Sequence, residues 1–362
     1  MSGQMLYGNS PVTPGVAENL STVFACVSAI SSALSALPVL IFQILGKIRS
    51  EVSSGAIWEL IHNGPNQWQS WPEFVEMLVA QILLRGNGLV ELVSDRFGNI
   101  VSLRVIPWDW VNIYMLPSGK LVYDVYDQPG IWAPAQGRRR RLLQHEVIHI
   151  RDRSDDGLVG KSRLQRAASV FRDAQTVHDF AAAAFRNGLF PSGVIQTEAI
   201  LSADQREQMN NALVKNLSGS HNAARALVLD QGLKWQSLTA TSPEDSETLD
   251  SRKFTTWELC RLFGVPPPLV QDFSFSSFTN SEQAGRWFGQ YTLLPWVRKI
   301  EASFNRALFE GADYELVLDM SSFDRGDPVT RWRSHAVAAQ NGILSINEIR
   351  EVEGWGPKAN EG

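Results

Sequence analysis

Cysteine is scarce: Cys26 and Cys260 are the only two in 362 residues. Each falls within an apolar helical pattern, so no disulfide framework is expected, and a reducing, cytosolic setting is. No run of about 18 apolar residues occurs, which excludes a membrane-spanning helix. The opening MSGQMLYGNSPVTPGVAENL lacks the basic start and apolar middle of a secretory leader, and residues 1–19 read as a flexible arm. An excess of positive charge is also missing. The net charge of −5 argues against general nucleic-acid binding by the whole surface. No internal repeat is found. What remains is a chain with 44% hydrophobic residues, long enough to bury a large core in one to three domains.

The pattern changes near residue 160. Before it, short strand-like runs dominate: GLVELVSD, IVSLRVIPW, VNIYML, KLVYDVYD and HEVIHIR. Turn signals at Phe97-Gly98-Asn99, Pro117-Ser118-Gly119 and Asp127-Gln128-Pro129-Gly130 separate them. Two helices precede these strands, TVFACVSAISSALSAL (stopped by Pro38) and one over about 72–84 with Gly86 beyond its end. After residue 160 the spacing predicts long helices. Ser162 can cap one that runs to Asn187-Gly188, with Leu164, Ala167, Phe171, Ala174, Ala181 and Phe185 as its apolar stripe. At 1.5 Å per residue this is a rod of about 38 Å. Ser202 and Gln205 fit a capping box, and ARALVLDQGLKWQSLT reads as a hairpin around Asp230-Gln231-Gly232. A second long helix is expected from Ser242-Pro243-Glu244 to Phe263-Gly264, where Pro266-Pro267-Pro268 forbids continuation. A helix over about 281–309 should kink at Pro295. The end holds a helix after Asp327-Pro328, a turn at Asn341-Gly342 and a short helix opened by Ser345.

Residues 145–162, HEVIHIRDRSDDGLVGKS, carry two enzyme-like patterns. His145-Glu146-Val147-Ile148-His149 matches the zinc-protease motif, in which a helix brings both histidines onto one face. Here the β-branched surroundings predict a strand, which would hold the two Cβ atoms about 13 Å apart, too far for one metal. Asp152 and Asp155 also stand where the extended motifs need Gly and His. Gly160-Lys161-Ser162 resembles the end of a phosphate-binding loop in strand–loop–helix context, but Asp155 occupies its first glycine position, and with Asp156 it would repel phosphates. The competing reading is a turn at Asp155-Asp156-Gly157 followed by a helix start. A zinc hydrolase or nucleotide hydrolase using residues 145–162 is the alternative function. His62, His178, His221 and His335 are scattered, and His178 is expected to pack the long helix. The run Arg138–Arg141 reads as a solvated loop edge or a phosphate or partner contact.

Eight segments in order carry a resemblance: VFACVSAISSALSALPV, LLRGNGLVELV, GNIVSLRVIPWDWV, VIHIRDRSDDGLVGKSRLQRA, FRNGLFPSGVI, LCRLFGVPPPLV, FTNSEQAGRWFGQYTLLP and NGILSINEIREVEGW. Together they span nearly the whole chain, which resembles the portal proteins of tailed bacteriophages, in the long-tailed branch shared with gene transfer agents and prophages. The resemblance implies an α+β portal-type fold: a mixed α/β wing over 20–161, a first stem helix over 162–187, a clip over 188–241 and a second stem helix over 242–264. It then implies a tunnel-loop region over 265–280, a kinked wing helix and strand over 281–326, and a short helical crown over 327–362.

The same resemblance implies a non-enzymatic ring, usually of twelve copies, in the virion at one capsid vertex. The ring would be assembled in the host cytoplasm, with double-stranded DNA passing through its axis. Partners would be the terminase large subunit, a head–tail connector and the major capsid protein; no cofactor, metal or membrane is implied. The channel residues would be Ser274, Phe275, Ser276, Ser277, Phe278 and Thr279, whose uncharged side chains offer a moving duplex weak contacts rather than ion pairs. On the clip, Gln205, Gln208, Asn211, Lys215, Lys234 and Gln236 are the candidates for partner docking. An oligomeric scaffold through which no DNA passes is a third reading.

Overall fold

The computed structural model describes residues 13–46, 48–130, 137–187, 194–196, 202, 204, 208, 234–236, 247–273, 278–324 and 328–353. Helix α1 (Pro14–Glu18) leads into α2 (Ser21–Ser35), whose Val23, Cys26, Val27, Ile30 and Leu34 are buried at helical spacing. Strands β1 (Val39–Leu45) and β2 (Ile48–Glu51) and helix α3 (Ala56–His62) follow. Helix α4 (Trp71–Arg85) opens with a capping box, in which the Ser70 amide donates to Glu73 Oε2 at 2.7 Å. It closes on Gly86 at φ 80°, a left-handed position that glycine takes without strain.

Strand β3 (Asn87–Ser94) is buried on both faces through its first six residues, and it is central in a sheet of order β4-β3-β8. Its neighbours are β4 (Ile100–Ile106) and β8 (Val147–Arg151), both antiparallel, with Leu89 opposite Ile106 and His149. Helix α4 covers one face. A second antiparallel sheet holds β5 (Val111–Met115), β6 (Leu121–Asp127) and β7 (Arg138–Leu143) in that order, over its own small core around Tyr123, Val125 and Leu142.

After α5 (Arg163–Arg166) and α6 (Ala168–Asn187), β9 (Val194–Gln196) pairs antiparallel with β10 (Lys234–Gln236). Helix α7 (Glu247–Phe263) lies beside α6, where the Phe171 and Phe263 rings meet edge to face at 6.4 Å. Such a pair adds about 0.5–1.5 kcal/mol beyond its buried area. The chain then returns to its start through α8 (Phe278–Trp287) and α9 (Leu294–Leu308). Strand β11 (Tyr314–Leu318) pairs with β1, Val39 opposite Leu318, so one core joins α2, α4, β3, α7, α9 and β11. Helices α10 (Ser321–Asp324), α11 (Pro328–Gln340) and α12 (Ile346–Val352) complete the described chain. As expected, Gly342 turns at φ 66° and Ser345 caps the last helix through the Glu348 amide at 3.2 Å.

Several expectations are corrected. The helix from Ser162 is interrupted at Ala167 (φ −116°, ψ 33°), so a short turn precedes the long α6. His178 is exposed rather than packed. The bend assigned to Pro295 is preceded by a π-helical turn over Phe288–Leu293. Pro295 has no N–H for the Tyr291 carbonyl and its ring crowds that group, and a wider turn relieves both. The start of the second long helix at 242–246, the partner arm of the 230–232 hairpin and the Gln205 cap lie outside the described residues.

Arg138–Arg141 form β7 rather than a loop edge. Arg139 and Arg141 reach Asp124 on β6 at 2.9 and 2.6 Å, and these guanidiniums hold its carboxyl down to about 2. Arg140 pairs with Asp127 (2.8 Å) and with Glu91 on β3, while Arg104 on β4 reaches Asp127 at 3.1 Å. This buried network ties the two sheets together. Arg140→Ala would leave the buried Asp127 and Glu91 to share Arg104 alone, and urea unfolding is expected to show a loss of about 3 kcal/mol, with a smaller loss for Arg140→Lys.

Candidate functional site

The 145–162 segment joins strand β8 to the helical part of the chain. Gln144–Glu146 form a 3₁₀ turn, so His145 precedes the strand instead of belonging to it and is exposed. Glu146 accepts the Leu143 amide at 2.7 Å and closes that turn, leaving no base poised over a metal. Among the described residues no group of three His, Cys, Asp or Glu side chains could hold a metal ion.

His149 points into a buried aromatic and polar cluster. Trp108 stacks on its ring at 5.2 Å and Tyr123 meets it edge-on at 5.6 Å. Its Nε2 lies 3.0 Å from Asn87 Oδ1, and its Nδ1 lies 3.2 Å from the Tyr123 hydroxyl. The Asn87 amide is oriented by the backbone of one residue: Gly160 N–H donates to Oδ1 (2.7 Å) and Nδ2 donates to the Gly160 carbonyl (2.8 Å). Oδ1 therefore only accepts, so His149 carries its proton on Nε2, and Nδ1 accepts from Tyr123. Burial, aided by the Arg151 charge, lowers the His149 pKa to about 3.

Gly160 itself is fixed by backbone proximity. A Cβ there would stand 2.0 Å from the Gly86 carbonyl oxygen, and one on Gly86 would stand 2.6 Å from the Ser162 nitrogen. The Gly86 carbonyl also accepts the Asp152 amide at 2.8 Å. Ser162 is buried, and its Oγ accepts the Gln165 amide at 3.1 Å as a helix cap. The turn expected at Asp155-Asp156-Gly157 is present, with Gly157 at φ 75°. Asp156 Oδ1 accepts the Leu158 and Val159 amides at 2.7 and 3.0 Å, and these bonds hold its carboxyl down to about 2. Lys161 reaches Asp155 at 3.7 Å, and Arg166 reaches the same carboxylate at 2.6 Å. The loop's amides and cations are thus engaged by its own aspartates, and the glycine serves a backbone crossing rather than a phosphate.

Of the expected channel residues, Phe278 and Thr279 open α8 and so belong to a helix, not a loop; Ser274, Phe275, Ser276 and Ser277 lie outside the described residues. Among the docking candidates, Gln208 is helical and exposed, and Lys234 and Gln236 lie on β10 opposite Gln196 and Val194. Gln205, Asn211 and Lys215 fall outside the described residues. Sequence reading missed Asn87 as the organiser of the junction. The signal was present in Gly86-Asn87-Gly88, an amide between two glycines at the mouth of a buried strand.

The architecture is a mixed α/β first part, two long helices side by side and a closing strand from the far end. The family described as phage portal protein matches residues 21–354, and the chain belongs to it. Among its relatives are the portal protein of Enterobacteria phage HK97 and the probable portal protein of Streptomyces phage phiC31. The first is 30% identical, covering 97% of this chain and 82% of that one; the second is 30% identical, covering 98% and 79%. A solved structure titled as the neck of a native GTA particle computed with C12 symmetry aligns at a TM-score of 0.63 with 26% identity, over 96% of both chains. An HK97 family portal protein from Corynebacterium diphtheriae shares the fold at a TM-score of 0.58, covering 89% of this chain and all of that one. Nothing in these relatives or in the geometry supports the hydrolase alternative.

Two measurements test the junction. Because the unfolded His149 binds a proton below about pH 6.5 and the folded one only near 3, stability should fall as pH drops through that window. The loss approaches the order of 4 kcal/mol, and His149→Gln should flatten that part of the curve. Gly160→Ala, forced against a backbone oxygen, should cost about 3 kcal/mol or more in denaturant unfolding.

Proposed function

We propose that this chain is one subunit of a portal ring, twelve copies around an axial channel at a single capsid vertex, through which double-stranded DNA enters and leaves. The observation carrying this reading is the match along 96% of both chains to a protein in a neck computed with C12 symmetry. The virion is then its place, after assembly in the host cytoplasm. The major capsid protein surrounds the ring, and no membrane is involved. Packaging energy comes from a separate terminase large subunit docked on the clip, and a head–tail connector later takes that surface. The chain itself performs no catalytic step.

In this reading residues 20–161 and 281–326 form the wing, and their shared core supports that grouping. The paired α6 and α7 are the stem, residues 188–241 the clip and 327–362 a short crown. The bore is lined by Ser274–Thr279, the last two residues supplied by the first turn of α8. Docking uses Gln205, Gln208, Asn211 and Lys215 together with Lys234 and Gln236 on β10. A segment without charge suits a conduit, because lysine or arginine would release counterions and hold each phosphate.

Mass measurement and imaging of the purified particle should give a closed twelvefold ring with an open axis; a particle with no axial opening would favour a scaffold instead. Deleting Ser274–Thr279 should lower the DNA retained per capsid. Unchanged packaging and retention would remove that segment from the mechanism.

A further inference from the structure

A cleft of about 680 Å³ lies between the two sheets and helix α9, and none of its lining residues belongs to the segments assigned to the bore or the clip. It exists because α9 turns Ala302, Ser303 and Ala307 toward β8, and these short side chains leave room that larger ones would fill. One wall is apolar, with Leu121 and Val147. The polar part is unbalanced: Lys120, Arg151 and Arg306 line it against the single carboxylate of Glu310. Neither Lys120 nor Arg306 is ion-paired among the described residues. The Arg151 charge lies near the Tyr123 hydroxyl, and its Nε is buried with no acceptor.

We propose that this cleft is a binding site for a carboxylate carried on a small apolar body, the carboxylate meeting Arg151 and Arg306 and the body lying against Leu121 and Val147. Arginine's fixed fork of donors suits a planar carboxylate, and the volume is that of a small-molecule site. The chemistry has two sources, a free organic acid or an acidic side chain beside an apolar one on a neighbouring copy. Only the second rests on the ring reading.

Occupancy would not stay local. The Arg151 charge lies near Tyr123, Tyr123 donates to His149, His149 donates to Asn87, and Asn87 holds the Gly160 backbone. This continuous polar chain leads from the cleft to the junction between β8 and the long helices, and each bond in it polarises the next.

The test is titration of the ¹⁵N-labelled chain with benzoate to 20 mM, following arginine Nε–H and tryptophan indole resonances, together with assembly of Arg306→Glu. The expected result is a saturable shift of Arg151 Nε and of the Trp108 indole. Lys120→Ala/Arg306→Ala, which alters two exposed residues, should weaken it at least tenfold with an unchanged circular dichroism spectrum. A shift seen in the unassembled chain but blocked in the assembled particle, with Arg306→Glu folded yet unable to assemble, identifies a neighbour's side chain as the occupant. No saturable shift in either form, with Arg306→Glu assembling as the wild type does, overturns the site. The benzoate readout does not depend on ring mass, so its failure is distinct from failure of the portal reading.

Discussion

The crossing of two backbones at Gly86 and Gly160 is the constraint on which the rest of this molecule depends. A Cβ at Gly160 would sit 2.0 Å from the Gly86 oxygen, so neither chain can be displaced by even one methyl group. The crossing fixes where the β4-β3-β8 sheet ends and where the long helices begin. Asn87, next in sequence to Gly86, grips the Gly160 backbone through both its amide atoms. Its Oδ1 also accepts from His149 Nε2, and the Tyr123 bond to Nδ1 is the one that needs that ring neutral. Position, orientation and protonation state are thereby settled by one small cluster at the entry to the long helices.

That cluster explains why the segment looks like machinery. A glycine, a lysine and a serine at the start of a helix are what a phosphate loop needs, and also what a tight entry into a helix needs. Two histidines four residues apart suggest a metal only when a helix aligns them. The structure resolves both ambiguities through partners distant in sequence: Gly86 for Gly160, Trp108 and Tyr123 for His149. The residues of this segment join the β4-β3-β8 sheet to the helices that follow.

Local patterning was legible wherever a segment makes its own structure. The strands from 88 to 127, the Ser345 cap, the Gly342 turn and the Asp155-Asp156-Gly157 turn all follow from neighbours within a few residues. Features fixed by remote contacts were not. β1 is apolar without alternation, and it becomes a strand by pairing with β11. β7 reads as a basic loop until Asp124 and Asp127 stand beside it. The interruption at Ala167 and the π-helical turn have no local signature beyond Pro295. Family membership was legible from the order of eight segments, and the cleft beside α9 was not, because it is made by small residues on one element facing cations on others.

The pairing of β1 with β11 has a consequence for how the protein is made. Val39 waits for Leu318, and the core holding α2 and α4 stays open until the chain has returned through α9. At about 5–20 residues per second a ribosome takes roughly 15–55 seconds to supply the missing strand. Throughout that interval the nascent chain shows an unpaired strand edge and an unfinished apolar face, the features that recruit chaperones and invite pairing between copies. A subunit that closes only when nearly the whole chain exists must therefore be kept from pairing with its copies until β11 arrives.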